Sequence, residues 1–403
     1  MPEPMTIASY VCSRAPGVVG KLAIGSKRNG AGPRRKHPRA LRSRTSPPSS
    51  DAMPANRRRF LRLAAAAAGL AATRRARAAV AGDGPRFPVS DHCDGWRFLN
   101  PGGAAPKGLG ALLRWQFGRT PGTWPDSVSV TDQPRLNPLP APGTFKVTLV
   151  NHATFLLQFP GLTILTDPIW SERCSPVGWA GPRRIHPPGI PFTALPKVDL
   201  VLVSHNHYDH LDLPTLRRLR DEHDPRIVTL LGNGRILAEA GFGSAVELDW
   251  WESHAPRDGF QVTATPAQHF SARGLTDRMA ALWGGFVIEA GGRRVCFAGD
   301  TGYFPGFKEI GTRLGPFDLA LIPIGAHEPR WFMREMHCNP EEAVRIHREL
   351  GSRRSLAMHF GCFPLADDAH DQAPRELVAA REAAGLGADE FTLPEPGATL
   401  VIG

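Results

Sequence analysis

An apolar run from Val198 to Val203, broken only at Asp199, ends in Ser204-His205-Asn206-His207-Tyr208-Asp209-His210. No other stretch constrains the chain as much. His and Asp are seldom buried without a partner, and a strand that merely fills a core has no use for three imidazoles and a carboxylate at its end. Imidazole nitrogen and carboxylate oxygen suit zinc and similar divalent metals. Side chains alternate along extended backbone, so His205 and His207 can converge on one metal. The tight turn that follows lets Asp209 and His210 face a second. The competing reading, a polar turn that happens to be His-rich, leaves the concentration of ligand types unexplained. The stretch reads as a metal site at the end of a strand.

A site for two metals needs further donors, and three other apolar segments end in one. His269 closes the segment from Gln261, Asp300 the segment from Val295, and His359 the segment from Leu356. Any one of them alone is more often a surface or core residue. Together they repeat one design, in which a strand delivers a ligand to a common edge, and ligands on strand ends are held more rigidly than ligands on loops.

Period-two and continuous apolar runs predict strands at 145–150, 154–159, 162–167, 198–204, 226–231, 245–249, 261–266, 284–289, 294–298, 318–323, 355–359 and 398–402. Helices are predicted at 214–222, 234–240, 340–350 and 374–384. The third of these starts with Asn339 as cap, Pro340 in the first turn and Glu342 placed for a capping box. Strands with interspersed helices in both halves give an α/β fold, a layered sandwich. The sandwich is assigned to residues 143–403.

The formal charge of +10 does not belong to that domain. Residues 1–81 carry 17 Lys and Arg against two Asp and Glu, so the rest of the chain is mildly acidic and offers nucleic acid no basic face. Residues 1–52 read as a disordered basic leader, with Met53 as a second candidate start. Residues 53–81, with Arg57-Arg58-Arg59-Phe60-Leu61 ahead of an Ala-rich stretch, resemble a twin-arginine export signal and predict an exported, periplasmic protein. Residues 82–142, dense in Pro, Gly and Trp, read as an extended arm around the core, anchored by Trp96, Trp115 and Trp124, with a helical pattern from Leu109 to Phe117. The cysteines are scattered and read as small buried hydrophobes rather than a disulfide framework.

The order His205-Asn206-His207-Tyr208-Asp209-His210, then His269, Asp300 and His359, is similar to the metallo-β-lactamase superfamily. That resemblance implies a four-layer αβ/βα sandwich. It implies that His205, His207 and His269 hold one zinc, that Asp209, His210 and His359 hold a second, and that Asp300 bridges them. A narrower likeness runs from about Asp91 to about Ala366. Asn151-His152-Ala153-Thr154-Phe155, the stretch from Leu165 to Arg173, Trp179 to Arg184, Gly325 to Phe332 and His337 to His347 resemble the N-acyl-phosphatidylethanolamine-hydrolysing phospholipases D. Glu335-Met336, beside His337, departs from that pattern.

The resemblance implies a dizinc hydrolase that cleaves the phosphodiester of N-acyl-phosphatidylethanolamine-like lipids at a membrane surface, and a homodimer. Two zinc ions lower the pKa of a shared water to give hydroxide at neutral pH. Asp300 and Asp209 are then the catalytic carboxylates. His337 either assists the phosphate or leaving group or is a surface histidine beside a helix. His152 either orients a ligand or fixes a turn. Arg183, Arg184 and Arg330 suit anionic lipid, and Trp170, Trp179, Trp331, Phe332 and Met333 suit a lipid-facing groove or the core. Two other readings compete: a hydrolase of a lactone, thioester or cyclic phosphodiester on the same site, and a non-catalytic metal-binding protein.

Overall fold

The structure, a computed structural model, describes residues 85–403 apart from Gln133 and Leu275. The leader of residues 1–52 and the export signal of residues 53–81 lie outside the described residues.

Two seven-stranded sheets carry the fold. The first contains β1 (Phe145–Asn151), β2 (Thr154–Phe159), β3 (Leu162–Thr166), β4 (Leu200–Val203), β5 (Arg226–Leu230) and β6 (Val246–Leu248), with β14 (Thr399–Ile402) at its other edge beside β1. The second contains β7 (Ser253–Arg257), β8 (Phe260–Thr265), β9 (Gly285–Ala290), β10 (Arg293–Phe297), β11 (Leu319–Pro323), β12 (Ser355–Met358) and β13 (Phe391–Thr392) in sequence order. Each sheet begins with antiparallel pairs and ends with parallel ones: β3, β4, β5 and β6 run parallel in the first, and β10, β11, β12 and β13 in the second. The halves are therefore built alike, a long-period duplication that the sequence does not display.

Helices α1 (Leu109–Gly118), α2 (Leu213–Glu222), α3 (Gly234–Leu237), α4 (Gly306–Leu314), α5 (Arg330–Met333), α6 (Pro340–Glu349) and α7 (Gln372–Ala383) complete the described elements longer than one 3₁₀ turn. The capping box of α6 forms as predicted: Asn339 Oδ1 accepts from the Glu342 amide at 2.9 Å, and Glu342 Oε2 accepts from the Asn339 amide at 3.0 Å.

The continuous apolar runs reflect strands buried on both faces. Leu200 and Leu202 of β4 join the core shared by the two sheets, while Val201 and Val203 pack with Leu216 and Leu219 of α2. Two strands escaped the sequence reading. β7 contains Pro256 and lies at a sheet edge, where proline is tolerated, and β13 spans two residues. Helix α4 escaped as well, because Gly306 and Gly311 dilute its pattern although Phe307 and Ile310 are buried.

Of the three tryptophans expected to anchor residues 82–142, two are engaged with the rest of the protein. Trp115 is buried, and Trp124 Nε1 donates to the Asp368 carbonyl at 2.8 Å. Trp96 is not an anchor: it is exposed, and the fully buried residue nearby is Phe98, whose amide donates to the Met279 carbonyl at 2.8 Å. The two aromatics sit two positions apart, and the arm turns the smaller one inward. The five described cysteines are all buried and unbridged, in keeping with their reading as small hydrophobes.

Candidate metal centre

Every sequence-predicted ligand lies just beyond a strand, and the strand ends meet. β4 delivers His205, His207, Asp209 and His210. β8 leads to His269, β10 to Asp300 and β12 to His359. Gly299 makes the approach of Asp300 feasible: its φ is +62°, and a Cβ there would stand 2.5 Å from the Gly284 carbonyl.

The donors fall into two groups joined by one carboxylate. His205 Nε2 and His269 Nε2 lie 2.9 and 3.2 Å from His207 Nδ1. Asp209 Oδ2 lies 3.3 Å from both His210 Nε2 and His359 Nε2. Asp300 Oδ2 stands between the groups, 3.1 Å from His210 Nε2, 2.9 Å from His359 Nε2 and 3.8 Å from His269 Nε2.

These residues fit metal ions by their own hydrogen-bond accounting. His269 Nδ1 faces the Met336 carbonyl at 2.9 Å, an acceptor only, so Nδ1 carries the proton and Nε2 presents a lone pair. Ser204 Oγ donates to Asp167 at 2.6 Å and accepts from His205 Nδ1 at 2.9 Å, which leaves His205 Nε2 in the same state. His207 Nδ1 can donate to only one of those two lone pairs. His210 Nδ1 donates to Asp167 Oδ2 at 2.7 Å, and its Nε2, turned toward two carboxylates, is buried without a hydrogen-bond partner, as is Asp300 Oδ1. Buried polar atoms are rarely left in this condition. A cation held in each group would resolve the orphaned lone pairs and the paired negative charge together.

The electrostatics divide the same way. Burial, with the neighbouring imidazoles, pushes His205 well below the usual histidine range, and pushes His207 down to about 3. Burial likewise lowers His269 to about 4. His359 is also buried, but Asp300 and Asp209 outweigh that and raise it to about 9. His210 is raised against burial by Asp300, Asp209 and Asp167. Asp209 and Asp300, despite burial, are held well below the usual carboxylate range, chiefly by His210. One group is thus three imidazoles held low, and the other sets two carboxylates held low against two imidazoles held high.

Three backbones at the centre are bent to fit. His152, Asp167 and His359 have φ of 46°, 34° and 59°. A non-glycine residue in this region costs about 1–3 kcal/mol and persists where its surroundings over-determine it. His152 Nε2 lies 3.0 Å from Asp209 Oδ2, so its ring holds that carboxylate in place. Asp167 carried no role in the sequence reading, yet it accepts from the Ser204 amide at 2.7 Å, from Ser204 Oγ and from His210. The signal was present: Asp167 closes the apolar run of β3 just as Asp300 closes that of β10. Asn100, whose side chain holds the His269 backbone, left no such signal.

His337 joins the centre rather than the surface, its ring centroid 5.0 Å from that of His269 and 5.4 Å from that of His359. Its Nδ1 has no hydrogen-bond partner. Thr301 and Tyr303 support loops, Thr301 Oγ1 accepting from the Gln268 amide and Tyr303 donating to Glu349. The arginines expected at lipid are mostly engaged within the protein. Arg184 is largely buried and donates to the Ser171 and Ile169 carbonyls, and Arg330 pairs with Glu342 and donates to the His337 carbonyl. Arg183 is exposed but paired with Glu172. Of the five apolar candidates, Trp179 and Trp331 are exposed, Met333 is buried, and Phe332 stacks on Trp115. Trp170 donates from Nε1 to the Ile190 carbonyl.

The partly exposed members, His207 and His337 with Phe270, mark the mouth of the centre. Arg278 lies over the Phe270 ring and donates to the Lys107 carbonyl at 2.9 Å, so α1 starts at that mouth. Its body rests on α5 through the Trp115–Phe332 stack, while Leu109, Leu112 and Leu113 face solvent at 69%, 38% and 41% exposure.

A family model described as Beta-lactamase superfamily domain matches residues 163–360. The chain is similar to N-acyl-phosphatidylethanolamine-hydrolyzing phospholipase D 1 of Caenorhabditis elegans, with 41% identity over 250 residues, 58% of this chain and 70% of that protein. It is 30% identical over 274 residues to a metal-dependent hydrolase of Rubrobacter xylanophilus, covering 64% of this chain and 97% of that one. Among solved structures, isothiocyanate hydrolase from Delia radicum gut bacteria shares the fold, with a TM-score of 0.50 and 22% identity over 63% of this chain and 98% of that chain.

Proposed function

The chain belongs to the beta-lactamase superfamily, with the N-acyl-phosphatidylethanolamine-hydrolysing phospholipases D among its relatives, and from that footing we propose that it is a two-metal phosphodiesterase acting on N-acylated phospholipid. The observation that carries the reading is Asp300 Oδ2, placed between a three-histidine group and an Asp–His–His group. His205, His207 and His269 would hold one zinc, Asp209, His210 and His359 the other, with Asp300 shared. Bound there, the two ions supply Lewis acidity to a phosphoryl oxygen and lower the pKa of water.

The chain's own residues do the rest. His152 fixes Asp209, and Asp167 fixes His210, so neither ligand must reorient during the reaction. His337, whose partly exposed ring lies beside His269 and His359, offers a hydrogen bond to a substrate oxygen. Water adds to phosphorus, the bond to the ethanolamide oxygen breaks, and that oxygen leaves with a proton. The products are an N-acylethanolamine and a phosphatidic acid.

A lipid substrate is supported by α1. From Arg97 to Pro125 the chain has no Asp or Glu, and it carries Arg97, Lys107 and Arg114 beside Arg119, which pairs with Asp367. A helix that buries one tryptophan while turning leucines to solvent, within a basic segment at the mouth of the centre, suits a peripheral contact with an anionic bilayer. Among the described residues no helix is long and apolar enough to cross a membrane.

The test is product analysis by mass spectrometry on a mixed lipid extract incubated with the zinc-loaded protein. N-acylethanolamine and phosphatidic acid should appear with wild type and not with Asp300→Asn. Equal release by the variant sinks the reading. A lipid left intact while a lactone, thioester or cyclic phosphodiester turns over transfers the site to that other substrate.

A further inference from the structure

We propose that Asn100 of the N-terminal arm is a positioning residue for His269, so that the arm is a working part of the metal centre. The inference rests on the metal-centre reading above and adds a dependence of one ion on a segment outside the sandwich domain.

Asn100 is 5% exposed and uses its whole amide. Its Oδ1 accepts from the His269 amide at 2.9 Å and from Trp283 Nε1 at 3.1 Å. Its Nδ2 donates to the His269 carbonyl at 2.8 Å and to the Ala104 carbonyl at 2.9 Å. Both polar backbone groups of His269 are thus gripped by one side chain, in the manner of a neighbouring strand. His269 needs that grip because β8 ends at Thr265, four residues earlier. With Nδ1 directed at the Met336 carbonyl, backbone and ring are both fixed, and Nε2 can point only toward His207 and Asp300.

The arm is in turn held in place. Phe98 is fully buried, and the Leu99 amide donates to the His92 carbonyl at 2.8 Å. His92 lies 2.7 Å from Asp249 and stacks on Trp250 with centroids 4.4 Å apart. The other group has its supports within the sandwich: His359 donates its amide to the His152 carbonyl at 2.9 Å, and His210 is held by Asp167. The dependence is therefore one-sided. Loss of the Asn100 amide loosens the His205–His207–His269 group and leaves the Asp209–His210–His359 group in place.

The full chain, loaded with Co²⁺, is equilibrated against chelators of graded strength while bound metal and visible absorption are followed. Wild type should hold two ions. Asn100→Ala should hold one as wild type does and the other about 10- to 100-fold more weakly, with altered cobalt bands. Asn100→Asp, nearly the same size, keeps the acceptor for the His269 amide but sets a carboxylate oxygen against the His269 carbonyl. It should weaken the same ion and carries the test if the alanine variant does not fold. Phe159→Leu, a core change outside the arm at the end of β2 away from His152, should lower the melting temperature and leave both affinities unchanged. Chelator midpoints of the Asn100 variants matching wild type overturn the proposal, as does a Phe159→Leu loss as large as theirs. Fewer than two ions in wild type would instead overturn the metal-centre reading on which the proposal stands.

Discussion

At the scale of single residues, the centre separates side chains that would hold metal from those that arrange the holders. His337 tests the distinction most sharply. It lies within donor reach of His269 and Asp300, and yet its role in the proposed reaction is to meet substrate. His337→Gln should therefore keep both ions and lower kcat by about 10²-fold, the lower end of what a positioned proton donor or acceptor contributes. Metal analysis beside steady-state kinetics checks this. An ion lost along with activity would make His337 a ligand instead. Legibility follows the same division. The seven proposed ligands could be read because they follow the ends of four apolar runs, and Asp167 could have been read by that rule. Asn100 could not, because an asparagine between Leu99 and Pro101 looks like any turn, and only the fold brings it to His269.

At the scale of elements, the arm carries two consequences. The clasp of His92 between Asp91 and Asp249 raises the His92 pKa: burial opposes the charge, but the hydrogen bonds to Asp249 and Asp91 outweigh it. A group whose pKa rises on folding adds stability that is fully present below its unfolded value of about 6.5 and lost as pH climbs through the folded value. Wild type should thus melt above His92→Gln by the largest margin near pH 5.5. The gap should shrink as pH rises past the raised pKa, and a gap independent of pH refutes the clasp. The other consequence concerns α1. Its leucines were legible as a helical stripe from Leu109 onward, but which way the stripe faced was not, since a core would bury it and a bilayer contact would expose it. The structure exposes it. Leu109→Ser with Leu113→Ser should leave folding and turnover of a soluble short-chain diester unchanged. Partitioning onto anionic vesicles should fall about tenfold, the effect of withdrawing roughly 1.5 kcal/mol of apolar burial. Unchanged sedimentation with vesicles would remove α1 as the lipid-facing element.

At the scale of the whole molecule, the centre is a seam between two similar halves. β4 of the first sheet gives four donors, and the ends of β8, β10 and β12 of the second give His269, Asp300 and His359. Strand-by-strand patterning revealed all but β7 and β13 of the described strands, because strands buried on two faces read as apolar runs. It could not reveal the duplication, since the halves share pairing order rather than sequence. Ions bound at the seam would cross-link the sheets in a way no unfolded chain can reproduce, so metal binding must add to stability. At a free metal concentration a hundredfold above Kd the gain is about 2.7 kcal/mol, which for a domain of this size corresponds to about 4 °C in melting temperature. Stripping with a chelator should lower the transition by at least that much, and restoring zinc should recover it. Asp300→Asn removes a charge shared by both groups and should melt with a smaller increment between stripped and loaded forms. If stripped and loaded wild type unfold together, the two sheets are not joined through these seven donors, and the orphaned nitrogens between them need another explanation.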